Sequence, residues 1–589
     1  ILIYDYKIKI KILTKEGASW ADGEIFLYEN GNSKQTLSDF EASAYNLVDG
    51  RIKKTIMEQN YISREKINEK RTAVKFSIPE VRSGTVIEYK YRIKSDFIFA
   101  IPDVNMQHSI PVMYSKFIIT APEYFSFNYF NAGYSNINIQ RKRGVGYKNV
   151  NTSGYRSSTF YTNIVWCEME DLPALKREPY IWCLDDFRIK VEFEVSAASL
   201  PNGFLEKFTN TWKDVSNKLR YMSFNTDLKT SYPFKKEVVE IKNSKLSEIE
   251  KVRAILKLVK SKISWNGRYR LISDKLNDAI KKGEGTSAEI NFVLHSALRD
   301  AGFDVVPVLL NPRSYGRIPN TLPTIDKINT FIIKVNLKNS QIFVDGTNLH
   351  TDINILPVNL LVDRARIYKV NDDTGWIDLT NIVKSTYSSV LIGNIDETGI
   401  LSGTIKKTYT NQSAYSFKNK YAKYNSKEEY IKDFEKENNL QISNIEIQGL
   451  DSSAVVEIIN FKGAVNSTAD YIYLNSLVLP FMSENPFNQQ GRILPIEFEF
   501  PVTYDIMCNI KYPENYIIEE MPKNIKYTLN DNEMNCQYIT QNVGNNIQMK
   551  FNFTMDKIIY PASKYNELKS FYGMLTQMSG SQIVIKKNQ

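Results

Sequence analysis

The spacing of apolar residues changes twice along this chain, and those two changes restrict its fold more than any single motif does. Up to about residue 200 the spacing is two: Ile87, Tyr89, Tyr91 and Ile93 fall on one face of residues 86–93, with Glu88, Lys90 and Arg92 on the other. Phe117 to Ile119 and Phe125 to Phe130 continue the same pattern, which fits antiparallel sheets with one solvated face. Between residues 247 and 263 the spacing becomes three and four, through Ile249, Val252, Ile255, Leu256, Val259 and Ile263. A turn at Trp265-Asn266-Gly267 ends that helix, and a second helix carries Ile290, Val293, Leu294, Ala297, Leu298 and Ala301 on one face, with Gly302 placed to stop it. Strands then return: a buried run from Val305 to Leu310, another from Thr330 to Val335, and Gln341 to Asp345 folding back through Lys338, Asn339 and Ser340. From about residue 370 strands dominate, interrupted by helical stretches near residues 426–438 and 563–577.

The expected fold class is therefore multidomain, β-rich plus α+β. An N-terminal antiparallel β-sandwich (1–200) precedes a central α+β domain with leading helices (201–368) and a C-terminal β-sandwich region of one or two domains (369–589). A chain of 589 residues exceeds one hydrophobic core. Its 36 Tyr and 30 Phe against 3 His favour strands and leave few metal-binding imidazoles.

Several function classes lose their usual signatures. The net charge of +9 is dispersed, and the densest basic cluster, Gln140 to Arg143, reads as a solvated loop, so no nucleic-acid partner is expected. No apolar run approaches the ~18 residues that cross a bilayer. The chain begins at Ile1 inside an alternating strand, and a signal peptide upstream of this sequence is expected. Cys167, Cys183, Cys508 and Cys536 form no C-x-x-C pair and read as buried free thiols, with a disulfide in an oxidising compartment as the alternative. There is no phosphate-binding G-x-x-x-x-G-K-[ST] loop and no H-E-x-x-H pair, and Gly283-x-Gly285-x-x-Ala288 follows a helical segment where a dinucleotide fingerprint follows a strand. No cofactor and no metal is expected. The carboxylate pairs Asp185-Asp186 and Glu519-Glu520 read as surface charges.

The run Gly283-Glu284-Gly285-Thr286-Ser287-Ala288-Glu289-Ile290-Asn291 opens the second helix, and Thr286 with Glu289 has the spacing of a capping box. The stretches Ser83-Gly84-Thr85-Val86-Ile87-Glu88-Tyr89, Trp265-Asn266-Gly267, the run Gly283 to Asn291 itself, Ala301-Gly302-Phe303, Ile328-Asn329-Thr330-Phe331, Val344-Asp345-Gly346-Thr347 and Pro495-Ile496-Glu497-Phe498, in this order, give the chain a pattern that resembles a family of Gram-negative envelope proteins. In that family a transglutaminase-like, papain-type domain sits between β-rich N- and C-terminal domains of unknown function. The resemblance implies a triad of Cys at the helix start, His on the next long strand and Asp at the end of the strand paired to it. The corresponding positions are Ser287, Thr330 and Asp345, and only the aspartate matches.

A serine hydroxyl needs a base to take its proton, and threonine cannot accept one near neutral pH. Disabling one member of such a unit costs on the order of a millionfold in turnover. His295 lies eight residues along the same helix, a rise of about 12 Å, out of direct reach. His350 follows Asp345 and is the alternative base; His108 belongs to the N-terminal part. The leading expectation is a degenerate, non-catalytic binding or assembly module, periplasmic or outer-membrane associated, with a peptide or envelope protein held between the helix at Ser287 and the strand at Thr330. The alternatives are a serine-dependent amidase or peptidase using Ser287, and a structural subunit of an outer-membrane complex.

Overall fold

Buried apolar residues gather into clusters that follow one another along the chain. The computed structural model describes residues 1–148, 158–199, 205–207, 211–273, 275–320, 323–370, 375–529 and 532–588. In the first cluster, Ile25, Leu27, Val74 and Phe76 from one half of a seven-stranded sheet meet Ala42, Ala44, Ile87 and Ile93 from the other half. The long strand Ser33–Val48 joins the halves: it pairs with Asp22–Asn30 at its start and with Val86–Ser95 along its length, and its register shifts between Ser38 and Glu41. A bulge of this kind bends a strand, which lets one sheet fold over its own core. Of the predicted stripe, Ile87 and Ile93 are buried and Tyr89 and Tyr91 pack partly buried against them.

A pair of sheets follows, with its own core. Phe125–Ala132 and Lys190–Ser199 face Val112–Pro122 and Ser158–Leu172 across Met106, Phe117, Val165, Val191 and Phe193. The N-terminal region thus holds two packed β units, one a single sheet folded over its own core and the other a pair of sheets. The cluster at Gln140 to Arg143 is not a loop. It starts the edge strand Gln140–Lys148, where Arg143 lies 3.8 Å from the centre of the Tyr161 ring, because alternate cations on an edge strand can cover exposed aromatic faces.

The central α+β unit is built from helix α1 (Glu248–Lys262) and helix α2 (Ser287–Asp300) packed on an antiparallel sheet. Strands β1 (Asp304–Leu310), β2 (Thr330–Asn336) and β3 (Gln341–Val344) lie in the order β3-β2-β1, continued by Ala365–Ile367 and Trp376–Ile377. Both faces of this sheet are covered. Leu309, Phe331, Ile333 and Val344 point to the helices, while Val308, Leu310, Ile332 and Phe343 pack on the loop residues Leu356, Leu360 and Leu361. The predicted stripe of α1 holds except at Ile249, which is 42% exposed. Helix α2 departs from expectation. Every residue from Ser287 to Leu298 is buried, so its polar side shares the interior with its apolar side.

One continuous cluster from Leu391 to Ile585 makes the C-terminal core, between an eight-stranded sheet, a four-stranded sheet and three helices. Two of those helices, Lys427–Asn438 and Tyr565–Ser579, stand where the sequence places them. The third, α3 (Gln412–Tyr421), was not expected and lies against the central unit, with Gln412 Nε2 donating to the Leu356 carbonyl at 2.9 Å.

The three regions meet at an ionic junction. Arg317 reaches Asp186 at 3.4 Å, Asp363 at 2.9 Å and Glu497 at 2.7 Å, and Trp182 donates its backbone N–H to Glu497 at 2.7 Å. Asp186 is therefore a partly buried partner, whereas Asp185, half-exposed, pairs with Arg188 and Lys190. The surface reading fails for Asp186 because the chain from Trp182 to Phe187 is pressed between the other two regions. All four cysteines are buried free thiols.

Candidate functional site

Helix α2 begins where the sequence predicts, for reasons of local chemistry. Gly283 ends the preceding helix Leu276–Lys282 in the left-handed conformation, φ +69°, which costs a glycine least. Glu284–Gly285 then pairs in parallel with Ser264–Trp265. Thr286 caps the helix: its N–H donates to Glu289 Oε2 at 2.6 Å, and Ser273 Oγ donates to Oε1 at 3.0 Å. Ser287 is the first helical residue.

The Ser287 hydroxyl is fully enclosed. It accepts from the Arg270 N–H at 2.9 Å and from Thr330 Oγ1 at 2.8 Å, and donates to the Arg270 carbonyl at 3.1 Å. One hydrogen and two lone pairs are a hydroxyl's whole capacity, and all are used. Ser287, Thr330 and Asp345 each show no solvent-accessible surface. The expected opening between Ser287 and Thr330 is absent, because two hydroxyl side chains are small enough for the helix and strand to close into direct contact.

Asp345 stands apart from that pair. Its Oδ1 accepts from Asn291 Nδ2 at 2.9 Å, and its Oδ2 accepts from the Thr347 N–H at 3.1 Å and from the Thr347 hydroxyl. Burial raises its pKa, while these donors and the nearby Lys260 pull it down. Asn291 is the residue that joins the site. Its Nδ2 also reaches the Phe331 carbonyl at 2.8 Å, and its Oδ1 accepts from the Gly346 N–H at 2.9 Å. It thus ties α2 to β2 and to the end of β3. Its position, four residues after Ser287 and so on the same helix face, was the signal that sequence reasoning passed over.

No imidazole is hydrogen-bonded to Ser287 among the described residues. His295 turns away, its Nδ1 2.9 Å from the Leu228 carbonyl, and burial lowers its pKa to about 4, so its ring is neutral. His350 is half-buried, its pKa lowered by burial and by Lys418 and Lys260. His108 lies in the N-terminal sheet pair, outside the site. Among the described residues no group of three or more His, Cys, Asp or Glu is arranged to hold a metal, and no helix is long and apolar enough to cross a membrane.

An open cavity of about 450 Å³ lies instead beyond the turn that encloses Ser287. Trp265 and Tyr269 form one wall, their ring centres 4.9 Å apart and tilted by 50°. Tyr415 and Asn419 of α3 line it as well, and Asn348 Nδ2 donates to Asn419 Oδ1 at 3.3 Å. Tyr269 precedes Arg270, so the residue that lines the cavity is joined directly to the residue that seals the serine.

Residues 3–155 match a family model described as "Domain of Unknown Function with solved-structure structure (DUF3857)", and residues 470–585 match its counterpart with the description DUF3858. No curated protein matches the sequence. The fold is similar over its whole length to a crystal structure from Parabacteroides distasonis described as "a putative protease", with a TM-score of 0.61 and 12% identity, covering 99% of this chain and 95% of that one. The chain is a central α+β unit between two β-rich regions similar to these families, in a fold shared with that protein.

Proposed function

We propose that this chain is a non-catalytic relative of the transglutaminase-like fold that works as an exported, envelope-side binding or assembly module. The observation that carries the reading is the state of Ser287: buried, saturated by Arg270 and Thr330, and without an imidazole. A nucleophile needs access to substrate and a base within hydrogen-bond reach, and this hydroxyl has neither. The cavity beside Tyr269 provides binding space away from the old triad positions. The test is turnover of amide substrates by the purified chain. Hydrolysis or crosslinking that disappears in Ser287→Ala would overturn the reading. The envelope location is checked by fractionating cells that express the protein from its native gene; recovery in the cytosol alone would exclude it.

The description of the Parabacteroides protein favours a second reading, a serine-dependent amidase or peptidase. It requires the turn at residues 266–270 to lift from Ser287. Covalent labelling of Ser287 by a fluorophosphonate probe would establish it.

A further inference from the structure

We propose that the cavity between Tyr269 and α3 takes a short extended peptide carrying acidic side chains, with its carboxylates at the α3 end. This rests on the binding-module reading and adds the chemistry of the ligand. Three features of the walls carry it.

The first is the distribution of charge. Lys420 and Lys423 stand on the rim at the C-terminal end of α3, both exposed, and Lys420 meets Glu437 only loosely, at 3.8 Å. Lys260 and Lys418 are buried close by, their pKa values lowered chiefly by burial and further by repulsion from Lys257. Of the nearby carboxylates, Asp352 is held by Arg253 at 2.9 Å and Asp345 is enclosed. Glu499 is exposed in the lining and would repel a second carboxylate there. The field therefore has a direction, favouring negative charge near Lys420 and Lys423.

The second feature is the set of carboxamides. Asn348, Asn359 and Asn419 line the space. Each donates one hydrogen bond and accepts one within the chain, to or from His350, Tyr415, Ser314 or one another, and an amide's capacity of two donors and two lone pairs leaves room for a peptide backbone group beside them. The 3.3 Å bond between Asn348 and Asn419 joins two of these lining residues and is long, so a backbone group can replace it at little cost. The third feature is shape. Trp265 and Tyr269, their rings tilted at 50° to each other, give the lining an aromatic corner against which a side chain can pack. A volume of about 450 Å³ is in the range of small-ligand sites.

The experiment uses the full chain, immobilised, and two pools of capped heptapeptides, one with two fixed glutamates and one with glutamines in their place. Retained peptides are counted by mass spectrometry at low and high salt. Two exposed ion pairs are worth about a fivefold preference for the acidic pool, falling towards parity at high salt. Lys420→Gln with Lys423→Gln, both at exposed positions, should abolish the preference without changing the melting temperature, and Trp265→Ala should release both pools. Equal retention of the two pools, both lost in Trp265→Ala, would overturn the acidic preference and leave a peptide-binding cavity. Retention of neither pool would overturn the peptide reading with it. Displacement of the acidic pool by polygalacturonate, which itself binds more tightly, would overturn the proposal in favour of an acidic glycan.

Discussion

Ser287 and Asn291 stand one helical turn apart, yet their chemistry predicts different costs on removal. Ser287→Ala leaves the Arg270 N–H and the Thr330 hydroxyl without their acceptor, a loss of about 1–3 kcal/mol. Asn291→Ala removes three bonds and strips a donor from a buried carboxylate, so it should cost more, about 3 kcal/mol or above. Urea unfolding of the two variants beside the parent checks the order. Ser287→Cys should add no reactive thiol: Ellman's reagent should find as little in the native variant as in the parent, whose four thiols are buried. His295 gives a pH signature. Its pKa is lowered to about 4 in the folded chain and is near 6.5 when exposed, so the unfolded state binds the proton first. Its contribution is fully present above pH 6.5 and is lost as pH falls towards 4, about 3 kcal/mol in all. In His295→Gln the fall in stability over that interval should be shallower; an identical pH profile would exclude His295 as its source.

At the scale of elements, α2 and β3 meet at a point where only glycine fits. A Cβ on Gly346 would lie 2.7 Å from Ile290 Cγ2, inside any real carbon contact. Gly346→Ala should therefore push the end of β3 off α2 and cost about 1–3 kcal/mol, with loss of the Asn291 to Gly346 bond visible in amide exchange. The start of α2 was legible in sequence, because a capping box and a C-terminal glycine are local devices whose partners lie within four residues. The start of α3 was not. Asn411 precedes it at φ +53° with no side-chain cap, and the helix follows a strand without a break in polarity. Its order comes from docking: Gln412, Ala414, Tyr415 and Phe417 are buried against other elements. Long-range burial leaves no short-range trace, which is why half of the cavity wall was invisible before the fold was known.

At the scale of the molecule, Arg317 joins three regions, its side chain 17% exposed, among Asp186, Asp363 and Glu497. Arg317→Ala would leave three carboxylates around a vanished cation, and breaking a buried pair in this way costs about 3–5 kcal/mol. The expected outcome is a chain whose regions stay folded but separate, read as new proteolytic cuts near Trp182 and a larger radius in solution scattering; unchanged scattering would show that apolar contacts alone hold the regions together. Sequence by itself determined the series of β-rich and α+β regions, the helices with local caps, and the residue types, serine, threonine and aspartate, at positions 287, 330 and 345. Those follow from periodicity and residue type, which act over a few residues. Only the tertiary structure decided that Ser287 and Thr330 close on each other, that Asn291 links helix to sheet, and that the open space lies between Tyr269 and α3. Each of these depends on groups far apart in the chain competing for the same buried volume, and that competition is settled only when the elements pack.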